Sequence, residues 1–336
     1  MNGHKILSLC GALVLAAVSV MATEPIPVIV ETDMGNDIDD ALALDLLYKA
    51  MDDGRVSILG IGHHKKTATA SDYIGILNTW YGYPDIPVGR SDTPVATDGS
   101  VDYTAAVVSM TKTDGSALFP ATTRKEEPTV SMYRRLLSQQ PDTSVVFVSL
   151  GFATELAKLL KSKADEWSPL SGRELVARKV RLLSIMAGSY GDNKIAEFNV
   201  KSDIASMRTL FDEWPVEVVQ NPFEIGPEVL FPASVVTDSL AWAPAHPVAE
   251  GYKVYASMPY DRPTWDLLSV VYLLQPDMFD VSAPGRVSVN SDGYTSFMPG
   301  DGGMHRVLSA TAEQCDKLRD YIIRQVSRVP LLRMIQ

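Results

Sequence analysis

Five acidic side chains are crowded into the stretch ETDMGNDIDDALAL, where an apolar run passes into a helical pattern. They are Glu31, Asp33, Asp37, Asp39 and Asp40. Carboxylates this close together disfavour each other's ionised form, so the cluster requires either solvation by water or a positive partner. The cluster is therefore a candidate cation site, and a solvated acidic surface is the alternative.

Two known acidic motifs do not fit this spacing. An EF-hand calcium loop that began at Asp33 would need glycine at its sixth position and glutamate at its twelfth, where the chain has Ile38 and Leu44. A phosphatase of the haloacid dehalogenase type would place its nucleophilic aspartate at Glu31, and the threonine that it needs after Asp33 is missing. Neither motif accounts for the cluster.

Helix N-capping explains only part of the cluster. Asp39 or Asp40 stands where a helix is expected to begin, and a negative side chain stabilises that end of a helix. Glu31 and Asp33 lie at the end of the preceding apolar run, so capping does not explain them. Because parallel sheets bind ligands beyond the carboxyl ends of their strands, this position favours a binding site.

The elements that must position the cluster follow from the order of apolar runs. Short runs rich in valine, isoleucine and leucine alternate with longer helical patterns, and the runs are continuous, as in strands buried on both faces. This order predicts an α/β fold, with an open, mostly parallel β-sheet flanked by helices and a Rossmann-like core. Strands are predicted over 27–32, 56–62, 144–150, 180–186 and 216–220, and helices over 40–51, 68–81, 129–139, 154–161, 203–213, 265–274 and 311–326.

Length, composition and charge limit the function classes. The chain has 336 residues, of which 46% are hydrophobic, which supports one large domain with an ample core. Its formal net charge of -11 at pH 7 argues against a nucleic-acid backbone or an anionic membrane as a partner. This charge would suit a cation site, although a diffuse acidic surface that favours solubility is the commoner explanation.

Residues 1–22 are predicted to form a signal peptide. A basic start precedes an apolar run over 6–20, which is short for a membrane span, and Ala22 offers a small residue at a cleavage point. Cleavage would remove Cys10 and leave Cys315 alone, so no intramolecular disulfide is expected. The mature chain is then a single domain over 23–336, exported to the periplasm or beyond and free of the membrane.

The acidic stretch resembles the N-terminal signature of the inosine-uridine-preferring nucleoside hydrolase family, which is usually D-x-D-P-G-x-D-D-A. Here Glu31 replaces the first aspartate, Met34 replaces the proline, and two extra residues lengthen the turn before Asp39 and Asp40. Three later blocks are also similar to the family, so the resemblance extends over most of the mature chain. These blocks are VSLGFATELAKLL from Val148, MAGSYGDNKIAEFNVKSD from Met186 and RPTWDLLSVVYLLQPDMF from Arg262.

The resemblance implies a nucleoside hydrolase-like α/β domain that uses Ca²⁺ to split ribonucleosides into ribose and free base. It implies Asp33, Asp40 and Asp266 as carboxylate ligands of the ion, with the carbonyl of Leu150 as a further ligand. Oxygen ligands suit calcium, and a bound cation would offset the repulsion between the acids. Asp33 is also implied as the general base that activates water.

The resemblance further implies how the ribose would be held. Asp39, Asn193, Glu197 and Asn199 would grip its hydroxyl groups, and Met186 would lie beneath the ring. Simpler explanations are helix capping for Asp39, turn chemistry for the residues between 193 and 199, and core packing for Met186.

Two departures from the family pattern concern the leaving base. Trp265 stands where many members carry a histidine that is a candidate general acid, whereas purine-preferring relatives carry a tryptophan that stacks on the base. This favours purine substrates, with plain core packing of Trp265 as the alternative. His63 stands where the second strand of the family usually ends in asparagine. His63 or the neighbouring His64 could contact ribose or supply the missing acid, or could be an ordinary loop histidine.

Together these features predict an exported, calcium-dependent nucleoside hydrolase that prefers purines, an activity that suits nucleoside salvage. Relatives are commonly dimers or tetramers, so a homo-oligomer is expected. The rival hypothesis is a non-catalytic nucleoside- or ribose-binding protein with a retained metal site. Release of free base from inosine distinguishes the two.

Overall fold

A computed structural model describes residues 24–97, 101–120 and 126–334 of the protein. The predicted signal peptide lies outside these described residues. Among the helices in the described ranges, none is long and apolar enough to cross a membrane.

The centre of the fold is a large β-sheet. The strands are β1 (Ile26–Thr32), β2 (Val56–Lys65), β3 (Val88–Val95), β4 (Glu127–Pro128), β5 (Val145–Ser149), β6 (Val180–Met186), β7 (Val218–Asn221), β8 (Leu230–Phe231), β9 (Arg262–Pro263), β10 (Asp280–Val281), β11 (Gly285–Val289), β12 (Thr295–Pro299) and β13 (His305–Ser309). The order across the sheet is β12-β11-β13-β7-β6-β5-β1-β2-β3-β4, while β8 and β9 pair separately. From β13 to β4 every pair of neighbours is parallel, which confirms the predicted fold class.

Helices cover both faces of the sheet. They are α1 (Asp39–Asp52), α2 (Ala70–Tyr81), α3 (Tyr103–Val108), α4 (Thr129–Ser138), α5 (Thr154–Lys161), α6 (Gly172–Lys179), α7 (Phe198–Ser202), α8 (Ile204–Glu213), α9 (Pro247–Tyr255), α10 (Trp265–Leu274), α11 (Ala312–Val326) and α12 (Leu331–Met334). Helices α1, α2, α10 and α11 contribute to one apolar core, and α4, α5, α6 and α8 contribute to the other. Each predicted strand and helix is present, with ends within three residues of the prediction.

Strand β1 shows why a continuous apolar run forms the middle of this sheet. Val28 and Val30 pack into one core and Ile29 packs into the other, and all three are fully buried. A strand with helices on both faces has no solvent side, so every position favours an apolar residue. The exception is its carboxyl end, where Glu31 is buried as well.

The chain changes direction across the sheet at β1. From β1 it proceeds to β2 and β3 on one side, and it later adds β5, β6 and β7 on the other side. Beyond the carboxyl ends of β1 and β5 the connections diverge, which opens the crevice where open α/β sheets bind ligands. Glu31 is paired with Ser149 across β1 and β5, so Asp33 and Leu150 follow at the same edge.

Candidate active site

The turn between β1 and α1 places the acidic cluster at this crevice. Gly35 has φ +95°, a left-handed conformation that glycine adopts without strain. Asp37 Oδ1 accepts the backbone N–H of Ile38 at 2.6 Å, one residue before α1 begins. Asp39 and Asp40 therefore form the first turn of the helix, where its dipole favours negative charge.

A second helix brings a third carboxylate to the same point. Asp266 lies in the first turn of α10, and one carboxylate oxygen of each of Asp39, Asp40 and Asp266 lies within 4.8 Å of the other two. The backbone N–H of Asp266 donates to Asp39 Oδ2 at 3.0 Å. Two helix N-termini thus converge on three buried acids, although residues 40 and 266 are far apart in the sequence.

Two carboxylate oxygens of this cluster lack a hydrogen-bond donor. Asp33 Oδ2 and Asp40 Oδ2 are buried and have no hydrogen-bond partner among the described residues. The other oxygen of Asp40 accepts the hydroxyl of Thr32. A buried anionic oxygen without a partner carries its full desolvation cost, which a hard cation bound by oxygen would offset. The donor set of Asp33, Asp39, Asp40 and Asp266 therefore fits a metal ion.

The carboxyl groups have raised pKa values in the metal-free protein. Burial, opposed in part by the nearby charge of Lys65, raises the pKa of Asp33 to about 7. Burial likewise raises the pKa of Asp39 to about 7. The pKa values of Asp40 and Asp266 lie well above the usual range, through burial and then through repulsion from the neighbouring aspartates. The cluster is thus an acidic site that a positive charge would stabilise.

Leu150 lies at the same edge of the sheet as this cluster. It directly follows β5, and its backbone N–H donates to the carbonyl of Glu31 at 2.8 Å. Asn199 Nδ2 donates to the Leu150 carbonyl at 3.0 Å and to the Met186 carbonyl at 3.2 Å. The side chain of Asn199 therefore fixes two strand-end carbonyls, a role that the sequence prediction of ribose binding did not include.

Glu197 caps the short helix that carries Asn199. Its carboxylate accepts the backbone N–H groups of Asn199 at 2.8 Å, Gly188 at 3.1 Å and Val200 at 3.2 Å. Burial raises the pKa of Glu197 to about 7, although these three hydrogen bonds lower it in part. Glu197 is thus held rigidly with its carboxylate at the wall of the crevice.

These residues surround a cavity of about 580 Å³. Seven of the residues predicted to hold the metal ion or the ribose line it: Asp33, Asp39, Leu150, Met186, Glu197, Asn199 and Asp266. Trp265 also lines the cavity, and Asn36, Asp37, Val101, Phe198, Phe223, Tyr255, Ala256 and Arg262 complete the wall. Asp40 is fully buried behind this surface. The structure thus brings the acidic residues, the Asn199 region and Trp265 to one place.

Aromatic rings form one side of the cavity. Trp265 stacks on Phe223, with ring centroids 5.5 Å apart and an angle of 24° between the planes. The indole Nε1–H donates to the Phe223 carbonyl at 3.0 Å, which fixes the ring. Gly226 lies directly against the indole, and a Cβ at that position would lie 2.2 Å from the ring. The stacked pair is therefore rigid, and an aromatic ligand could stack against its wall.

Two predicted contacts do not reach the cavity wall. His63 is buried, and its Nε2 lies 2.6 Å from the hydroxyl of Ser71. Burial lowers the pKa of His63 to about 4, so its imidazole is neutral near pH 7. Asn193 is exposed in the turn after Gly191. Neither residue is among those that line the cavity.

Sequence reasoning missed Arg262 and Lys65, and it gave Asp37 no partner. Arg262 and Asp37 both line the cavity and pair with each other. Lys65 Nζ donates to the Gly35 carbonyl at 2.5 Å, so its charge lies next to the acidic turn. The available signal was the position of Arg262, four residues before Asp266 in a block that was already recognised.

In this sheet the strand order reverses at β1, and buried carboxylates lie in the crevice beyond the carboxyl ends of β1 and β5. This arrangement is typical of the class of α/β proteins that bind a ligand in that crevice. Residues 28–317 match the model of the family described as inosine-uridine preferring nucleoside hydrolase. The chain belongs to this family and is therefore an N-glycosidic bond hydrolase that acts on nucleosides, as the sequence motifs predicted.

Solved structures agree with this fold. A plant nucleoside hydrolase is 19% identical, with a TM-score of 0.68 over 91% of this chain and 100% of that chain. An inosine-uridine preferring nucleoside hydrolase from Bacillus anthracis is 17% identical, with a TM-score of 0.69 over 90% and 100% of the two chains. A purine-preferring ribonucleoside hydrolase from Gardnerella vaginalis is 16% identical, with a TM-score of 0.68 over 90% and 98%. A comparison with curated protein sequences found no match.

Proposed function

We propose that this nucleoside hydrolase depends on calcium, splits ribonucleosides into ribose and free base, and prefers purines. The observation that carries the proposal is the group of buried carboxylates, with oxygens that lack donors, beneath a cavity with a fixed aromatic wall. The carboxylates suit a hard cation, and the aromatic wall suits a base.

Calcium would be held by Asp33, Asp40, Asp266 and the carbonyl of Leu150. The close approach of Asp39 to Asp40 and Asp266 makes Asp39 a further oxygen donor beside this set. When bound, calcium supplies the positive charge that offsets the repulsion among these carboxylates, and it makes nearby water more acidic. The oxygen-only donor set favours calcium or another hard ion over zinc.

Asp33 would be the general base. It lines the cavity, and one of its carboxylate oxygens has no hydrogen-bond partner among the described residues, so this oxygen can accept a proton. It would take the proton of the attacking water as that water adds to the anomeric carbon of the ribose. The bond to the base breaks as positive charge develops on the ring, as in glycoside hydrolysis, and the base leaves with the bonding electrons and takes its proton from solvent water.

The ribose would lie between Asp39 and the segment that carries Glu197 and Asn199. These three residues line the cavity with Met186, so hydroxyl groups of the sugar would meet fixed acceptors and the sugar face would meet a thioether. Holding the sugar in one orientation makes the attack of water effectively intramolecular. The backbone hydrogen bonds to Glu197 supply the rigidity that this requires.

Departure of the base would rely on stacking rather than on a histidine acid. Burial lowers the pKa of His64 to about 3 and that of His63 to about 4, so both imidazoles are neutral near pH 7. Trp265 presents a fixed ring in the cavity, and stacking on it favours a purine, whose ring is larger than that of a pyrimidine.

Export and self-association complete the proposal. The basic and apolar N-terminal stretch supports export, where the activity would serve salvage of external nucleosides. We expect the mature chain to form a homo-oligomer without membrane attachment, as relatives commonly do.

The test is release of free base from inosine and uridine by the mature protein. A chelator should abolish release, and calcium should restore it more effectively than zinc at equal free concentration. Inosine should be split with the higher kcat/KM. Full activity after exhaustive chelation would refute calcium dependence, and a higher kcat/KM for uridine would refute the purine preference. No release from either nucleoside, with retained ribose binding, would favour a binding protein instead.

A further inference from the structure

Two buried polar residues behind the cavity meet at a point where the sequence departs from the family pattern. Glu31 stands where the family signature has aspartate, and His64 follows the position where the second strand usually ends in asparagine. Both side chains are fully buried, and His64 Nδ1 lies 3.9 Å from Glu31 Oε1. Neither of these two atoms has a hydrogen-bond partner among the described residues.

The other nitrogen of His64 determines which tautomer is present. Nε2 lies 2.7 Å from the backbone nitrogen of Phe152, which can only donate a hydrogen bond. Nε2 must therefore carry a lone pair, so in the neutral ring the proton lies on Nδ1 and faces Glu31. A small movement of either side chain would bring this N–H and the carboxyl oxygen from 3.9 Å into hydrogen-bond distance.

The backbone that His64 holds is the segment that carries the Leu150 carbonyl. Gly151 passes between His64 and Asp33, and a Cβ on Gly151 would lie 2.5 Å from His64 Nε2 and 2.8 Å from the Asp33 Cβ. Glu31 contacts the same strand end through Ser149, whose hydroxyl donates to Glu31 Oε2 at 3.2 Å. The pair thus supports the turn from one side while Asn199 holds it from the other.

We infer that Glu31 and His64 act together as positioning residues that fix the Leu150–Phe152 turn and so aim the Leu150 carbonyl at the cation site. This inference rests on the proposed calcium site. In many metal sites a carboxylate orients a histidine that binds the metal ion. Here the histidine binds a backbone N–H instead, and it orients the turn that carries the metal-binding carbonyl. Loss of outer partners of this kind costs about 10- to 100-fold in metal affinity.

Calcium affinity of the metal-free protein, measured by calorimetry without substrate, tests the inference. His64→Leu removes the acceptor for the Phe152 N–H and should raise the calcium Kd at least about tenfold. His64→Gln restores an acceptor and should stay within about threefold of the parent. Glu31→Leu should weaken binding in the same direction, and the double variant Glu31→Leu/His64→Leu should be no weaker than His64→Leu alone.

A buried histidine elsewhere provides the matched control. His246 packs on Trp80 and Trp242, and His246→Leu should leave the calcium Kd unchanged even if it lowers stability. Equal calcium Kd values for His64→Leu and the parent would overturn the inference, as would additive effects of the Glu31 and His64 changes.

Nitrogen NMR of the parent protein gives a readout that does not need calcium. In protein labelled with ¹⁵N-histidine, His64 should show a protonated Nδ1 and an unprotonated Nε2, assigned by comparison with His64→Gln. The Phe152 amide should also exchange slowly with solvent. A proton on Nε2, or rapid exchange at Phe152, would overturn the inference. If the parent protein binds no calcium, the proposed cofactor is wrong, and the NMR result still decides whether His64 holds the turn.

Discussion

Arg262 forms a bidentate pair of hydrogen bonds with Asp37 on the wall of the cavity. Nε lies 2.9 Å from Asp37 Oδ1, and Nη2 donates to Oδ2. The guanidinium carbon also lies 5.0 Å from the ring centroid of Tyr255 and 5.3 Å from that of Trp265. The pair therefore joins the turn that precedes Asp39 to the segment that precedes Asp266. The lengthened acidic turn thus has a structural partner, which its sequence alone did not reveal.

Arg262→Ala should lower kcat/KM for inosine by about tenfold, mainly through a higher KM. The substitution removes one partner of a part-buried charge pair and a cation that packs on Trp265, and both losses loosen the wall that meets the base. Steady-state kinetics on inosine measures the effect. The side chains of the pair are about one-fifth exposed, so solvent screens part of the loss.

A double-mutant cycle shows whether Arg262 acts through Asp37. Asp37→Ala should give a similar loss, and the double variant should be no worse than either single variant if the two residues work as a unit. Arg306→Ala removes a surface ion pair with Glu217 and serves as the control with unchanged kinetics. Fully additive losses for Arg262 and Asp37 would contradict a shared role.

Asp33→Asn should lower kcat by about 10²- to 10⁴-fold, because the amide cannot take the proton of the attacking water. Binding of inosine in the presence of calcium should change less, since the amide oxygen keeps the shape of the carboxylate. Rapid kinetics and equilibrium binding separate the two effects. Asp142→Asn, which alters an exposed carboxylate paired with Lys179, is the control. An unchanged kcat would eliminate Asp33 as the base.

Calcium should stabilise the protein more at pH 8 than at pH 5. The pKa of Asp33 and that of Asp39 are about 7 in the folded metal-free protein, against an unfolded value near 3.8. The folded state thus holds more protons between about pH 4 and pH 7, so the metal-free protein loses stability as pH rises through this window. A bound cation replaces those protons and removes the loss.

Thermal unfolding with chelator and with calcium, at pH 5 and at pH 8, measures this effect. At a free calcium concentration 100 times Kd, binding adds about 2.7 kcal/mol to the free energy of unfolding. The increase in Tm should be clear at pH 8 and much smaller at pH 5, where protons compete for the carboxylates. An equal increase at both pH values would show that these groups do not bind the ion.

The central part of the fold was predictable because its strands are uninterrupted apolar runs. Such runs identify strands with helices on both faces, and β1, β5 and β6 all follow this pattern. Strand β11 was missed because its sequence, GRVSV, alternates between buried and exposed residues. That alternation is the signature of a half-exposed antiparallel strand, and a search for continuous runs does not detect it.

The acidic residues of the site were predictable, but the polar partners around them were not. Asp33 stands at a strand end and Asp40 and Asp266 at helix starts, so local pattern and family signature indicate them together. The contacts of Arg262 with Asp37, and of His64 with the Phe152 amide, join residues far apart in sequence. Such contacts depend on how the distant segments pack together, which local sequence patterns do not indicate.

Trp265→Ala should lower kcat/KM for inosine by about three- to tenfold more than it lowers kcat/KM for uridine. An aromatic pair contributes about 0.5–1.5 kcal/mol beyond its buried area. Because a purine ring is larger than a pyrimidine ring, it loses more stacking contact when the indole is removed. The indole is held by Phe223 beneath it and by the Phe223 carbonyl at its nitrogen, so the ring is already oriented before a base arrives. Removing it therefore removes a preformed surface.

The control for this prediction must separate stacking from a shifted helix, because Trp265 begins α10 and Asp266 follows it. Trp265→Phe keeps an aromatic face without the indole nitrogen and should retain most of the preference for inosine. The calcium Kd of both variants should match that of the parent if Asp266 has not moved. Equal losses on inosine and uridine in Trp265→Ala, with calcium binding intact, would contradict selective stacking on a purine.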